Sequence, residues 1–99
     1  MKYIIKYSNQ AINDRKNLFN FITFDCGSPI TAFRYLQGIK DTIKQLEVFP
    51  EICVIRTNKS LSQYGENIRL INYKKISIIY TVRKNTVYIL RIIASSLIN

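Results

Sequence analysis

A chain of 99 residues has room for one hydrophobic core, which excludes a multi-domain enzyme and sets a single domain over residues 1–99. An apolar content of 47%, with 18 isoleucines, excludes a wholly disordered chain, and 15 Lys+Arg against 6 Asp+Glu leave +9, which favours an anionic partner: nucleic acid, an acidic protein or a membrane surface. Histidine is absent, so catalysis here has neither the usual general base near neutral pH nor the commonest metal ligand.

The first element expected is a strand over residues 2–7, rich in Tyr and Ile. Ser8 then caps a helix from Asn9 to about Phe24, in which Ala11, Ile12, Leu18, Phe19 and Ile22 recur at helical spacing and Asp14, Arg15, Lys16, Asn17 and Asn20 fill the other face. Gly27 stops it. Ser28-Pro29 supplies the cap and first-turn proline of a second helix, whose stripe is Ala32, Tyr35, Leu36, Ile39, Ile43 and Leu46 and which Pro50 ends. Gly38 inside that helix is unfavourable by about 1 kcal/mol relative to Ala, so the spacing predicts a close helix crossing there.

In the second half the period changes from helical to alternating. Residues 53–57 are expected to form a strand and 58–66, with Gly65, a polar loop. Three more strands follow, over 67–73, 76–83 and 86–93, with turns at Lys74-Lys75 and Lys84-Asn85. In the middle one Ile76, Ile78, Tyr80 and Val82 share a face; in the last, Val87, Ile89, Arg91 and Ile93 share one and Tyr88, Leu90 and Ile92 the other. The order β-α-α-β-β-β-β describes an α+β unit with an antiparallel helical hairpin packed on a mainly antiparallel twisted sheet.

Charge is distributed unevenly. Residues 1–51 hold 7 basic and 5 acidic side chains, whereas residues 52–99 hold 8 basic and 1 acidic, with no acid after Glu66. One basic face set against an anionic surface is the expectation, with an AT-rich codon bias toward lysine as the bland alternative. Cys26 and Cys53 are 27 positions apart without a CxxC, so two reduced thiols are expected rather than a zinc site or disulfide framework. Tyr3-Ile4-Ile5 before Lys6 is far short of a secretory segment, no stretch approaches a membrane span, and no cofactor or metal is called for. A cytoplasmic protein with no membrane partner is expected.

A set of pieces in chain order then carries a resemblance: Tyr3-Ile4-Ile5, Ser8, Ala11 and Asp14; Ser28-Pro29 with Ala32; Ile39, Ile43, Leu46 and Phe49-Pro50-Glu51; Ile68-Arg69-Leu70; Ile78-Ile79-Tyr80-Thr81-Val82; and the run from Val87 to Ile93. The sequence resembles the RelE/ParE superfamily of bacterial toxins, the toxic halves of type II toxin-antitoxin pairs. The resemblance implies a RelE/ParE-like fold, a cognate antitoxin bound as a hetero-oligomer through an acidic or amphipathic segment, and a role in growth inhibition and plasmid stabilisation. It implies one of two targets. ParE-like members act on DNA gyrase as inhibitors, and RelE-like members cut mRNA on the ribosome.

Cleavage by a 2′-hydroxyl needs a base, cations for the phosphate and an acid for the leaving oxygen. Arg69 stands where the superfamily commonly places a functional arginine, and Arg56 and Lys59 lie on the preceding segment that supplies basic residues, so these three are the catalytic candidates of a nuclease. Nuclease members carry a His, Arg or Tyr beyond the last strand, where this chain reads Ala94-Ser95-Ser96-Leu97-Ile98-Asn99. The reading therefore favours a ParE-like gyrase inhibitor, not an enzyme; the alternatives are a ribosome-dependent endonuclease and a degenerate toxin that only binds its antitoxin. Partner or anion binding is assigned to Arg69, Lys74, Lys75, Arg83, Arg91 and Tyr64. Against these stand plainer roles: Arg69 paired with Glu66 or Glu51, Arg91 lying flat over the sheet, Lys74 and Lys75 solvated in a turn, and Tyr64 an ordinary turn residue.

Overall fold

The computed structural model describes residues 2–98, the side chain of Cys26 excepted. The expectation for the Cys26 thiol lies outside the described residues, whereas Cys53 is a free thiol. Strand β1 (Ile4–Tyr7) leads into helices α1 (Asn9–Cys26) and α2 (Pro29–Lys44), the latter prolonged by a 3-10 turn over Gln45–Glu47. A one-turn helix α3 (Lys59–Ser62) precedes strands β2 (Arg69–Tyr73), β3 (Ile76–Arg83) and β4 (Thr86–Ala94), and a 3-10 turn at Ser95–Leu97 follows. The sheet order is β1-β4-β3-β2, with β1 parallel to β4 and the other pairs antiparallel. The α+β architecture is as expected from the sequence.

The helix boundaries follow from local chemistry. The Ser8 hydroxyl accepts the Ala11 N–H at 3.0 Å, and the Ser28 hydroxyl accepts the Thr31 N–H at 3.3 Å, so each serine satisfies an otherwise orphaned donor of a first helical turn. Gly27 closes α1 in the left-handed region at φ 65°. Ala11 from α1, and Ile39 and Ile43 from α2, pack with Leu46 on Ile76, Ile78, Tyr80, Val87, Ile89 and Ile92 of the sheet, forming the main core. Full burial of one such aliphatic side chain stabilises by about 1.5–3 kcal/mol.

Three expectations are corrected. Residues 53–57 form no strand; the segment makes a single antiparallel bridge, Ile55 to Arg69, and is otherwise a strap laid along β2. Side chains hold it and the residues before it: the Arg69 guanidinium donates to the Cys53 carbonyl, and the Tyr80 hydroxyl donates to the Pro50 carbonyl at 2.7 Å. The loop expected over 58–66 contains α3, whose Leu61 joins Ile68, Leu70 and Ile79 in a second small core on the sheet's other face. Gly38 marks no helix crossing. The Tyr73 ring of β2 occupies the space a β-carbon would fill, so the glycine admits a strand side chain against α2. Gly38→Leu is expected to destabilise the fold by about 1–3 kcal/mol through overpacking, read as a lower midpoint in urea.

The alternation read for β4 also breaks. Ile79 pairs with Arg91 but Tyr80 with Ile89, which leaves Leu90 as the extra residue of a β-bulge. Past it the faces exchange: Ile92 joins Val87 and Ile89 in the main core, and Ile93 packs with Leu90 on the other side.

Burial pushes the Tyr80 phenol far above its ordinary value, with the neighbouring Cys53 adding to the shift, and burial raises Tyr7 as well. A phenol whose folded pKa exceeds its unfolded value of about 10 leaves stability unchanged below that pH, because both states are protonated there. Stability should then fall as pH rises above about 10. Tyr80→Phe is expected to flatten that decline while costing about 1 kcal/mol at neutral pH, since Pro50 loses its donor; urea titrations at both pH values check it.

Candidate functional site

A groove of ≈810 Å³ runs between the helical hairpin and one end of the sheet. Asp14, Asn17, Leu18, Phe21 and Ile22 face it from α1, a spacing that puts all five on one side of a helix. Thr31 and Tyr35 of α2 form a second wall with Lys74, Lys75 and Ile76, while Arg91 to Ala94 of β4 and Leu97 complete it. The lining is mainly apolar. Phe21 and Leu97 remain 65% and 71% exposed, an arrangement that isolated folding does not reward.

The wall at α1 is fixed by the bulge. Beyond Ile89, β4 has no β1 residue beside it, and the start of α1 takes that place. The Ser8 hydroxyl donates to the Leu90 carbonyl at 2.7 Å, and Asp14 accepts the Ile92 N–H at 3.0 Å. Asp14 also holds Arg91 in a two-pronged ion pair, at 2.7 Å from Nε and 3.1 Å from Nη2. This hydrogen-bonded partner raises the already high pKa of Arg91. One carboxylate thus satisfies a backbone donor of the bulge and cancels a guanidinium.

The opposite wall keeps its charge. Lys74 begins the two-residue turn with φ 53°, and its ammonium lies 5.4 Å from the ring centres of both Tyr35 and Tyr73. Those rings meet edge to face at 5.4 Å, so the lysine rests on a fixed aromatic corner. Among the described residues no acid pairs with Lys74 or Lys75. An apolar trough with cations along one rim can take an amphipathic segment that carries acids on its polar side.

The sequence-assigned residues separate into distinct places. Lys74, Lys75 and Arg91 come together at this groove, but Arg91 is neutralised by Asp14 and offers no free charge. Arg83 and Tyr64 line a second hollow of ≈350 Å³ on the face of the sheet away from the helices. Arg69 is opposite Tyr80 in the register, on the helix side, and spends its guanidinium on the Cys53 carbonyl; neither Glu66 nor Glu51 is its partner. Arg56 is exposed on the strap, its N–H donating to the Ile68 carbonyl at 2.7 Å, and Lys59 is exposed at the start of α3 on the other face. Neither hollow is lined by Arg56, Lys59 or Arg69; Arg56 follows Ile55, which bridges to Arg69, whereas Lys59 belongs to α3, whose Leu61 packs on the other face. Sequence reasoning passed over Asp14 and Phe21 as site residues. Phe21 could have been found as a large apolar residue off the core stripe of α1.

The family model of the ParE toxin of type II toxin-antitoxin system, parDE, matches residues 5–96. Among solved structures, the chain is similar to one described as the chromosomal ParDE TA system from P. aeruginosa, with a TM-score of 0.77 at 19% identity, covering 94% of this chain and 96% of that one. At that identity the likeness shows the fold. No curated protein matches the chain by sequence. No helix among the described residues is long and apolar enough to cross a membrane.

Proposed function

Since the chain belongs to the ParE toxin family of type II toxin-antitoxin systems, we propose that it is a toxin that inhibits DNA gyrase and is silenced by a cognate antitoxin bound in the groove between the hairpin and the sheet. The observation that carries the reading is the groove itself, with exposed Phe21 and Leu97 in an apolar trough and unpaired Lys74 and Lys75 on its rim. An acidic amphipathic segment gains buried apolar area there, which offsets the entropy of its ordering, and gains complementary charge. The protein is then a binding inhibitor of cytoplasmic location rather than an enzyme, acting in plasmid stabilisation or growth control.

The ribosome-dependent endonuclease is the weaker reading, because Arg69 is engaged within the fold and Lys59 lies across the sheet from it. The two differ in outcome. Purified protein in a reconstituted translation reaction is expected to leave mRNA ends unchanged with or without ribosomes, while plasmid supercoiling by gyrase falls. New mRNA ends that appear only with ribosomes would establish the nuclease instead. Growth arrest on induction without antitoxin is expected and would dispose of a degenerate toxin that only binds its partner.

A further inference from the structure

The second hollow, on the face of the sheet opposite the helices, has no part in the proposed antitoxin groove. It is lined by Tyr64 and Glu66 from the loop before β2, Thr81 and Arg83 from β3, and Tyr88 and Leu90 from β4. One wall is anchored: the Thr81 hydroxyl is within hydrogen-bond distance of the Asn67 carbonyl at 3.2 Å and of the Glu66 carbonyl at 3.4 Å. Gly65 makes the loop's turn at φ 127°, a conformation open to glycine and rarely to other residues. The loop is therefore held over the strands, with Tyr64 half-buried against the small second core on which Leu90 also packs.

The sheet register sets the charges around Tyr88. Tyr88 pairs with Thr81 on one side and with Lys6 of β1 on the other, so Lys6 shares its face. Arg83, two residues beyond Thr81 on β3 and paired with Thr86, lies on the same face as Thr81. Arg83 lines the hollow with Tyr88, whereas Lys6 shares the face outside its lining. Among the described residues no ion pair or hydrogen bond engages the Arg83 guanidinium, the Lys6 ammonium, or the hydroxyls of Tyr64 and Tyr88.

We propose that this hollow binds a nucleotide, its base stacked on Tyr88 and Tyr64 and its phosphate held by Arg83. The planar guanidinium of arginine matches a phosphate in fork geometry, and tyrosine rings accept any base through its π-face. The Glu66 carboxylate disfavours a bare polyanion and favours a ligand that brings donors, such as a base amino group or ribose hydroxyls, beside its phosphate. A volume of ≈350 Å³ is at the small end of ligand pockets and suits one nucleotide unit. That unit is a free nucleotide or one residue of a single strand.

Fluorescence anisotropy on the full-length protein, with a fluorescent ATP analogue in one arm and a labelled single-stranded oligonucleotide in the other, tests the proposal. Saturable binding is expected in at least one arm. Arg83→Ala should weaken it by about tenfold or more, Tyr88→Leu similarly, and Tyr88→Phe little, because the ring is retained. Lys84→Ala removes the same charge from the adjacent turn position and should have little effect, as should Lys74→Ala/Lys75→Ala at the antitoxin groove. Circular dichroism on each variant separates lost binding from lost fold. Binding of the analogue identifies a free nucleotide as the ligand, and binding of the oligonucleotide alone identifies a strand. No binding in either arm, or equal losses from Arg83→Ala and Lys84→Ala, overturns the proposal.

Discussion

Asp14→Ala is expected to be the most damaging single substitution outside the core, lowering stability by about 3 kcal/mol and the melting midpoint by roughly 15 °C. The Asp14 side chain is only 11% exposed and serves three donors: Arg91 Nε, Arg91 Nη2 and the Ile92 N–H. Removing it strands a guanidinium that is itself 27% exposed and leaves a backbone donor of the bulge without its partner. A surface ion pair would be worth a fraction of this, and burial of the carboxylate is what enlarges the loss. Arg91→Leu should cost less than Asp14→Ala, because Asp14 keeps the Ile92 N–H. Urea titrations of the two variants rank them, and an Asp14→Ala protein as stable as the parent would contradict the assignment.

The loss should reach function as well. Ser8 and Asp14 tie the first two turns of α1 to β4, and Leu18, Phe21 and Ile22 on the same helix face line the groove. Loosening the tie lets that wall shift, so weaker antitoxin binding should accompany the lower stability.

What was legible in the sequence was legible for local reasons. Ser8, Gly27 and Ser28-Pro29 act on the backbone within a turn of themselves, and they place the start of both long helices and the end of the first, whereas α2 ends at Lys44, six residues before the Pro50 expected to end it. The two lysine-led turns are equally local, with strands meeting at Tyr73–Ile76 and Arg83–Thr86. Residues 53–57 carry strand-like composition, yet Arg69, far along the chain, takes the Cys53 carbonyl, Tyr80 takes that of Pro50 just before it, and only one bridge forms. The bulge at Leu90 is likewise set from a distance. Its partners are Ser8 and Asp14, 82 and 78 positions from Leu90 and Ile92, and no alternation pattern in β4 records them. For the site, the cations at positions 74, 75 and 91 were visible, but their standing was not: Asp14 cancels one, and the aromatic corner of Tyr35 and Tyr73 fixes another.

The second large effect is expected at the groove. Lys74→Glu/Lys75→Glu should weaken antitoxin binding by about a hundredfold, through slower association and a changed salt dependence, because the rim lysines attract an acidic segment before contact. Phe21→Asp should produce a loss of similar size through faster dissociation, since it sets a charge in the apolar trough. Phe21 is mostly exposed and Lys74 and Lys75 are in a turn, so these variants should remain folded. Isothermal titration with the cognate antitoxin, and rapid-mixing kinetics at two salt concentrations, separate the two mechanisms. Unchanged affinity in both variants would move the antitoxin to another surface.

One measurement tests the whole account: plasmid supercoiling by purified gyrase in the presence of the toxin, with antitoxin titrated in. Supercoiling should be lost at micromolar toxin and restored at stoichiometric antitoxin, and the Lys74→Glu/Lys75→Glu/Phe21→Asp protein should require far more antitoxin for the same recovery. Full supercoiling in the presence of folded toxin would contradict the proposed target, and equal recovery of parent and variant would contradict the groove as the antitoxin's site.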